Sequence, residues 1–148
     1  MRVVIAIVTL ALAACGAGSG EGLDQNGQPL SGGGGGAPPS GLQPTLASIQ
    51  DNVFTVTCAV PGCHGGAGAQ QGLRLDPGFS AGNLIKVPSP RDPNLIRVVP
   101  GDPDASFLIQ KLQGVDGLLG ARMPDGGPYL TTATVNVIRQ WIQDGALH

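Results

Sequence analysis

Cys58-Ala59-Val60-Pro61-Gly62-Cys63-His64 holds the densest concentration of chemically reactive side chains in this protein. Two cysteines are separated by four residues, and a histidine directly follows the second. In an exported protein, a Cys-x-x-Cys-His motif indicates a c-type haem bound through two thioether bonds, with the histidine as an iron ligand. This chain has four intervening residues instead of two, so it carries a variant of that motif. We therefore predict that Cys58 and Cys63 bind one haem and that His64 is its proximal ligand.

The N-terminus has the features of an export signal. Met1 and Arg2 precede an apolar run over residues 3–14, and Leu12-Ala13-Ala14-Cys15 resembles the lipobox of bacterial lipoproteins. A positive start followed by a short apolar segment is typical of a signal peptide, and the segment is shorter than the roughly 20 residues needed to span a bilayer. We predict a signal peptide at residues 1–14 and a lipid on Cys15, which would anchor the exported protein to a bacterial membrane facing the periplasm or the cell exterior. The alternative is an ordinary signal peptide that leaves Cys15 as a free thiol.

Composition changes sharply between the anchor and the rest of the chain. Residues 16–43 are rich in Gly, Ser and Pro and include five consecutive glycines at positions 32–36. Such a composition buries too little apolar surface to fold and is typical of a flexible linker. We therefore predict that residues 15–43 form a lipidated tether and that residues 44–148 form one domain.

Three segments of that domain have helical signals. Apolar residues recur at helical spacing over residues 45–57, which predicts one amphipathic helix leading into Cys58. Asp102 is predicted to cap a second helix that ends at Gly114. Thr131 is predicted to cap a third that ends at Gly145, with Trp141 in the core and an apolar stripe formed by Val135, Ile138 and Ile142.

The segments between these helices are predicted to be loops. Residues 67–100 contain several prolines, which interrupt regular structure: Pro88, Pro90, Pro93 and Pro100. A second loop over residues 115–129 contains Met123. The expected fold class is therefore all-α, with three or more short helices and long loops wrapped on a haem.

Met123 is the second candidate iron ligand. Met1 would leave with the signal peptide, so Met123 would be the only thioether of the mature protein. It lies in a loop rich in Gly and Pro, where regular core packing does not require methionine. Histidine and methionine together are the ligands that raise the potential of a c-type haem. We predict Met123 as the distal ligand, with His148 or an open site as alternatives.

Two other uses of the cysteines remain open. Cys58 and Cys63 could form a disulfide that stabilises a small exported domain, leaving His64 as an incidental surface residue. A zinc site needs a fourth ligand, and the only other histidine is the terminal His148. The whole chain has only three Phe, one Trp and one Tyr, so few large side chains are available to fill a core. A bound haem would add apolar surface to such a core, which favours haem over the disulfide.

Charge excludes one class of partner. The formal net charge is −2 and no basic run is present, so nucleic acid is not expected as a partner. Arg74 and Arg122 are candidate partners for haem propionates. Asp102 and Asp104 could suggest calcium, but too few ligands accompany them.

Several short segments occur in an order that resembles a known family. They are Cys58 to His64, Gly72-Leu73-Arg74-Leu75, Pro100-Gly101-Asp102-Pro103, Ser106, Arg122-Met123-Pro124 and Trp141-Ile142-Gln143-Asp144-Gly145-Ala146. Together they resemble the small monohaem cytochrome c domains of exported bacterial proteins, including the planctomycete-type domains, over residues 45–147. The resemblance implies a class I cytochrome c fold, with thioethers at Cys58 and Cys63 and with His64 and Met123 as axial ligands.

The function implied is electron transfer. A membrane-tethered carrier would exchange one electron with an unidentified redox partner and would not be an enzyme, because both axial positions are filled. The alternative is a non-haem structural or interaction lipoprotein with a Cys58–Cys63 disulfide. Peroxidase-type activity would require one axial site to open.

Overall fold

The computed structural model describes residues 40–148, so the predicted signal peptide, Cys15 and the linker up to residue 39 lie outside the described residues. Helix α1 (Leu46–Ile49) continues into a π-helical segment (Gln50–Cys58). A 3₁₀ turn (Gln70–Gly72), helix α2 (Ser80–Leu84) and a hairpin of strands β1 (Pro88–Ser89) and β2 (Asp92–Ile96) follow. Helices α3 (Phe107–Gln113) and α4 (Thr132–Gln143) complete the order.

The predicted all-α, class I cytochrome c-like fold class is wrong. Four helices are accompanied by a two-stranded antiparallel sheet in the part of the chain that the structure describes, with 37% helix and 10% strand, which is a mixed α/β arrangement. Pro88 pairs with Ile96 and Ser89 with Asp92, so Pro90 and Arg91 form the two-residue turn. Proline disfavours a central strand but is tolerated in an edge strand, and both strands of a two-stranded sheet are edges. The prolines interpreted as breakers are therefore compatible with this hairpin.

The predicted first helix is present, but its winding changes. Thr45 caps α1 by accepting a hydrogen bond from the Ser48 amide (3.3 Å). From Gln50 the helix has the wider π winding, and it continues to Cys58. Ile49, Val53 and Phe54 are buried on its inner side, so this helix fixes Cys58 beside the core.

The start of α3 corrects another expectation. Asp102 does not cap the helix, because α3 begins at Phe107 with Ser106 at the cap position. Asp102 instead closes a turn by accepting from the Ala105 amide (3.0 Å), while the Ser106 hydroxyl donates to the Asp102 carbonyl (2.8 Å). The expected end is confirmed, since Gly114 has a φ of 71° in the left-handed region.

Helix α4 closes the core. Thr131 caps it by accepting from the Thr134 amide (3.1 Å), and the predicted apolar stripe and Trp141 are buried as expected. Gly145 follows the cap residue Asp144. The core extends to Leu42, two residues before the predicted domain start, and includes residues of every helix: Ile49, Val53, Phe54, Leu84, Ile109, Leu112, Val135, Ile138, Trp141 and Ile142. None of the helices within residues 40–148 has the length and apolar character required to cross a bilayer.

Candidate functional site

One side of the core opens into an apolar cavity with an empty volume of about 890 Å³, counting the part open to solvent. Its wall is formed by the first helix, the loop after His64, the hairpin turn, α3, α4 and the loop that carries Met123. Most of the lining is hydrophobic: Val53, Phe54, Leu73, Leu75, Leu84, Phe107, Leu108, Leu112, Leu119, Leu130 and Ile138. A mostly apolar lining with a few polar groups is typical of sites that bind organic ligands.

Three of the four residues predicted to hold a haem line this cavity. Cys58 and His64 come from one short segment, and Met123, which is 59 positions after His64, lines the same cavity. Cys63 is exposed and is not among the lining residues. The fold therefore brings together one thiol, one imidazole and one thioether, with the second thiol on the outer side of the loop.

The backbone holds His64 in a tight turn. The His64 amide donates to the Cys58 carbonyl (3.0 Å), and the His64 carbonyl accepts from the Leu75 amide (2.8 Å). Next to it, Gly65 lies so close to the Ala59 carbonyl that a side chain there would collide with it. The glycine thus permits close packing of the loop on itself.

The ring of His64 is oriented by one hydrogen bond. Its Nδ1 lies 3.1 Å from the Leu73 carbonyl oxygen, and because a carbonyl can only accept, Nδ1 carries the proton. The lone pair of the neutral imidazole is then on Nε2. Burial lowers the pKa of His64 from its ordinary value, against a smaller opposing effect of the Leu73 and Gln70 backbone. A neutral imidazole fixed through its other nitrogen is the form in which histidine binds a metal.

Cys58 is partly buried at the end of the π-helical segment. Burial, and secondarily the nearby Cys63, raise its pKa from 9.0 to about 11. The protonated thiol is therefore the dominant form at neutral pH. Zinc binds cysteine as the thiolate, so this environment disfavours a zinc site built on Cys58.

The polar part of the cavity is cationic. Arg91, Arg97 and Lys111 line it, and no aspartate or glutamate is among its lining residues. Arg97 is only 8% exposed, and its guanidinium donates to the Asn83 carbonyl (2.8 Å) and the Gln71 carbonyl (2.7 Å). Neither ion pair found among the described residues includes it. A buried guanidinium without a carboxylate is costly, so an anionic group in the cavity would stabilise it.

The two arginines suggested by sequence have other partners. Arg74 donates to Asp76 (2.6 Å) and lies 3.5 Å from the centre of the Phe79 ring. Arg122 donates to the Leu112 carbonyl (2.9 Å) and stacks on Tyr129 at 4.1 Å. Neither lines the cavity.

Sequence reasoning missed Arg97. Its signal was an arginine enclosed in the apolar run Leu95-Ile96-Arg97-Val98-Val99. A charge inside such a run is rarely buried without a partner, so the pattern could have marked it for a site.

Other candidate residues lie in structural positions. Trp141 donates from Nε1 to the Leu147 carbonyl (2.9 Å) within the core. Asp104 pairs with Arg139 (2.6 Å). Within the described chain, no group of three or more His, Cys, Asp or Glu side chains forms a cluster able to hold a metal ion.

Comparison with protein-family models, with curated proteins and with solved structures finds no match to this chain. The cavity and its lining residues are therefore the features that indicate a function.

Proposed function

We propose that this protein is a membrane-tethered monohaem c-type cytochrome that carries electrons. The observation that carries this proposal is the convergence of Cys58, His64 and Met123 on one apolar cavity. These residues are 65 positions apart at the extremes, and they provide one of the two thiols, the imidazole and the thioether proposed for such a group. The proposal concerns the site and does not depend on an all-α fold.

The cavity suits a haem in three respects. Its apolar wall suits a large flat ring, because burial of apolar surface contributes roughly 25 cal/mol per Å². Its cationic part suits the two propionate carboxylates of the ring, for which Arg97 and Arg91 are the proposed partners. Its neutral, oriented His64 suits coordination of iron through Nε2.

Each residue has a separate role in this proposal. The Cys58 and Cys63 thiols would each add across one vinyl group, with the sulfur bonding to one vinyl carbon and the proton passing to the other. Because Cys63 is exposed, its side chain would have to turn toward the cavity. His64 and Met123 would hold the two axial positions, and the apolar wall would exclude water. A bound haem would supply a one-electron centre.

The remaining parts of the proposal follow from the sequence. A lipid on Cys15 and the linker would keep the domain at a bacterial membrane, and electrons would pass to and from a redox partner protein. With both axial positions filled, no substrate would bind the iron, so an enzymatic role is not proposed.

The test is an absorption spectrum of the protein extracted from membranes of a host able to attach c-type haem. We expect a c-type reduced α-band that withstands acid–acetone extraction, and a weak sulfur-to-iron band in the oxidised form. Met123→Ala should lose the sulfur-to-iron band. Leu130→Ala removes another lining side chain from the same loop and should keep it.

A colourless protein from that host would overturn the proposal. If its two thiols were then found joined, the structural lipoprotein with a Cys58–Cys63 disulfide would take its place. A high-spin spectrum with peroxide turnover would instead indicate an open axial site and an enzyme.

A further inference from the structure

The loop that carries Met123 completes the C-terminal end of α3. The last carbonyl groups of a helix have no partner within the helix. Here the Met123 amide donates to the Lys111 carbonyl (2.8 Å), and Arg122 Nε donates to the Leu112 carbonyl (2.9 Å). The position of Met123 is therefore tied to the last turn of α3.

Lys111 also binds this loop through its side chain. Its ammonium group donates to the Leu119 carbonyl (3.2 Å) and to the Ala121 carbonyl. Through its main chain and side chain together, this one residue contacts the loop at three points within five positions. Hydrogen bonds from a charged donor are stronger than those between neutral groups.

The surroundings of Lys111 indicate that its charged group interacts mainly with the loop that carries Met123. The residue is half-buried, lines the cavity and forms no ion pair among residues 40–148. Its ammonium lies 5.8 Å from the centre of the Phe107 ring. Desolvation and the neighbouring Arg91 lower its pKa, with Asp125 acting in the opposite direction. The Lys111 ammonium group therefore holds the loop through the Leu119 and Ala121 carbonyls. We call these two hydrogen bonds the clamp.

We propose that Lys111 is a positioning residue that holds Met123 against the cavity wall. This inference rests on the proposed function, because it concerns the residue proposed as the distal ligand. Without the clamp, the loop would be tied to α3 by the Met123 amide and Arg122 alone, and Met123 would spend part of its time away from the cavity.

The matched control is provided by the chain itself. It has two lysines, Lys86 and Lys111. Lys86 is exposed and its side chain makes no hydrogen bond to another described residue. Lys111→Leu and Lys86→Leu remove the same charge, while Lys111→Arg keeps a cationic donor at the clamp position.

The first readout is amide hydrogen exchange of residues 115–123 in full-length protein produced without haem. We expect exchange to be about tenfold faster in Lys111→Leu, from the loss of hydrogen bonds to a charged donor. Exchange in α4 should stay unchanged, and Lys111→Arg should restore much of the protection. Equal exchange in Lys111→Leu and Lys86→Leu would overturn the clamp. Faster exchange throughout the domain, including α4, would show a general loss of stability and would also overturn it.

The second readout is the signal of the labelled Met123 methyl group in the haem-bound protein. We expect Lys111→Leu to lose part of the ligated-methionine signal and to have a lower reduction potential, with Lys86→Leu unchanged. A haem-bound Lys111→Leu protein with full methionine ligation would overturn the inference while the proposed function stood. If no haem is bound in any variant, the proposed function fails, and the exchange readout alone decides whether Lys111 holds the loop.

Discussion

At the scale of single residues, the two cysteines have different environments although only four residues separate them. Cys58 is partly buried beside the core, and its pKa is raised to about 11, while Cys63 is exposed. Alkylating reagents react with the thiolate. The two thiols should therefore be chemically distinguishable in protein that has no haem.

We predict that iodoacetamide modifies Cys63 well before Cys58 at pH 8. With its pKa raised from 9.0 to about 11, the Cys58 thiol is roughly a hundredfold less ionised at that pH than it would be without burial, and it is also less accessible than the exposed Cys63. Mass spectrometry of haem-free protein after timed quenching measures both rates. A Cys63→Ser variant isolates the slow reaction of Cys58, and equal rates at the two positions would contradict the burial of Cys58.

At the scale of elements, the junction between α3 and the following loop decides where Met123 lies. Gly114 ends the helix with a φ of 71°, and Gly117 has the same φ three residues later. A Cβ atom on Gly114 would lie 2.6 Å from Cδ of Arg122, whereas a Cβ on Gly117 would have nothing within 4 Å. The two glycines therefore share the same positive φ and differ in their surroundings.

Alanine substitutions at these glycines should separate the cost of the positive φ from the cost of displacing Arg122. Gly117→Ala is expected to lower the free energy of unfolding by about 1 kcal/mol, which is the cost of a left-handed residue with a side chain. Gly114→Ala is expected to cost at least about 1 kcal/mol more, because Arg122 must move from its place against the helix end. Denaturant unfolding measures both values, and equal losses would mean that the Arg122 contact does not constrain the loop.

At the scale of the whole molecule, Asp76 connects the loop after His64, at Gly66, to Arg74. Its carboxylate accepts from the Gly66 amide (2.8 Å) and from Arg74 Nε (2.6 Å). Arg74, and then Gly66, lower the pKa of Asp76 below its ordinary value of 3.8. The folded protein therefore binds this proton less tightly than the unfolded chain does, so the carboxylate stabilises the fold above pH 3.8.

We predict that Asp76→Asn is less stable than the unsubstituted protein at neutral pH and that this difference shrinks as the pH falls below 3.8. The stabilisation by the Asp76 carboxylate is lost completely once the pH has fallen below the lower pKa of the folded state. Denaturant unfolding at a series of pH values measures it. Asp116→Asn, at an exposed carboxylate outside both ion pairs of the described residues, is the control. A stability difference that does not change with pH would contradict the linkage.

Features that depend on near neighbours in the chain could be predicted from the amino-acid sequence alone. Thr131 caps α4, Gly114 ends α3, and Val135, Ile138, Ile142 and Trp141 form the buried side of α4. These follow from hydrogen bonds and side-chain positions within one or two turns of a helix, which a single sequence specifies directly. The residues proposed to bind haem were also chosen from sequence, through the spacing of Cys58, Cys63 and His64 and the isolated Met123.

Features that depend on which segments contact each other could be established only from the folded structure. The hairpin forms because Pro88 and Ile96 pair across a turn, and the start of α3 moves to Phe107 because Ser106 bonds back to Val99 and Asp102. Arg97 faces the cavity because its guanidinium is held by carbonyl groups of Gln71 and Asn83, 26 and 14 positions away. Such contacts depend on which segments pack together, and local sequence preference does not specify that packing.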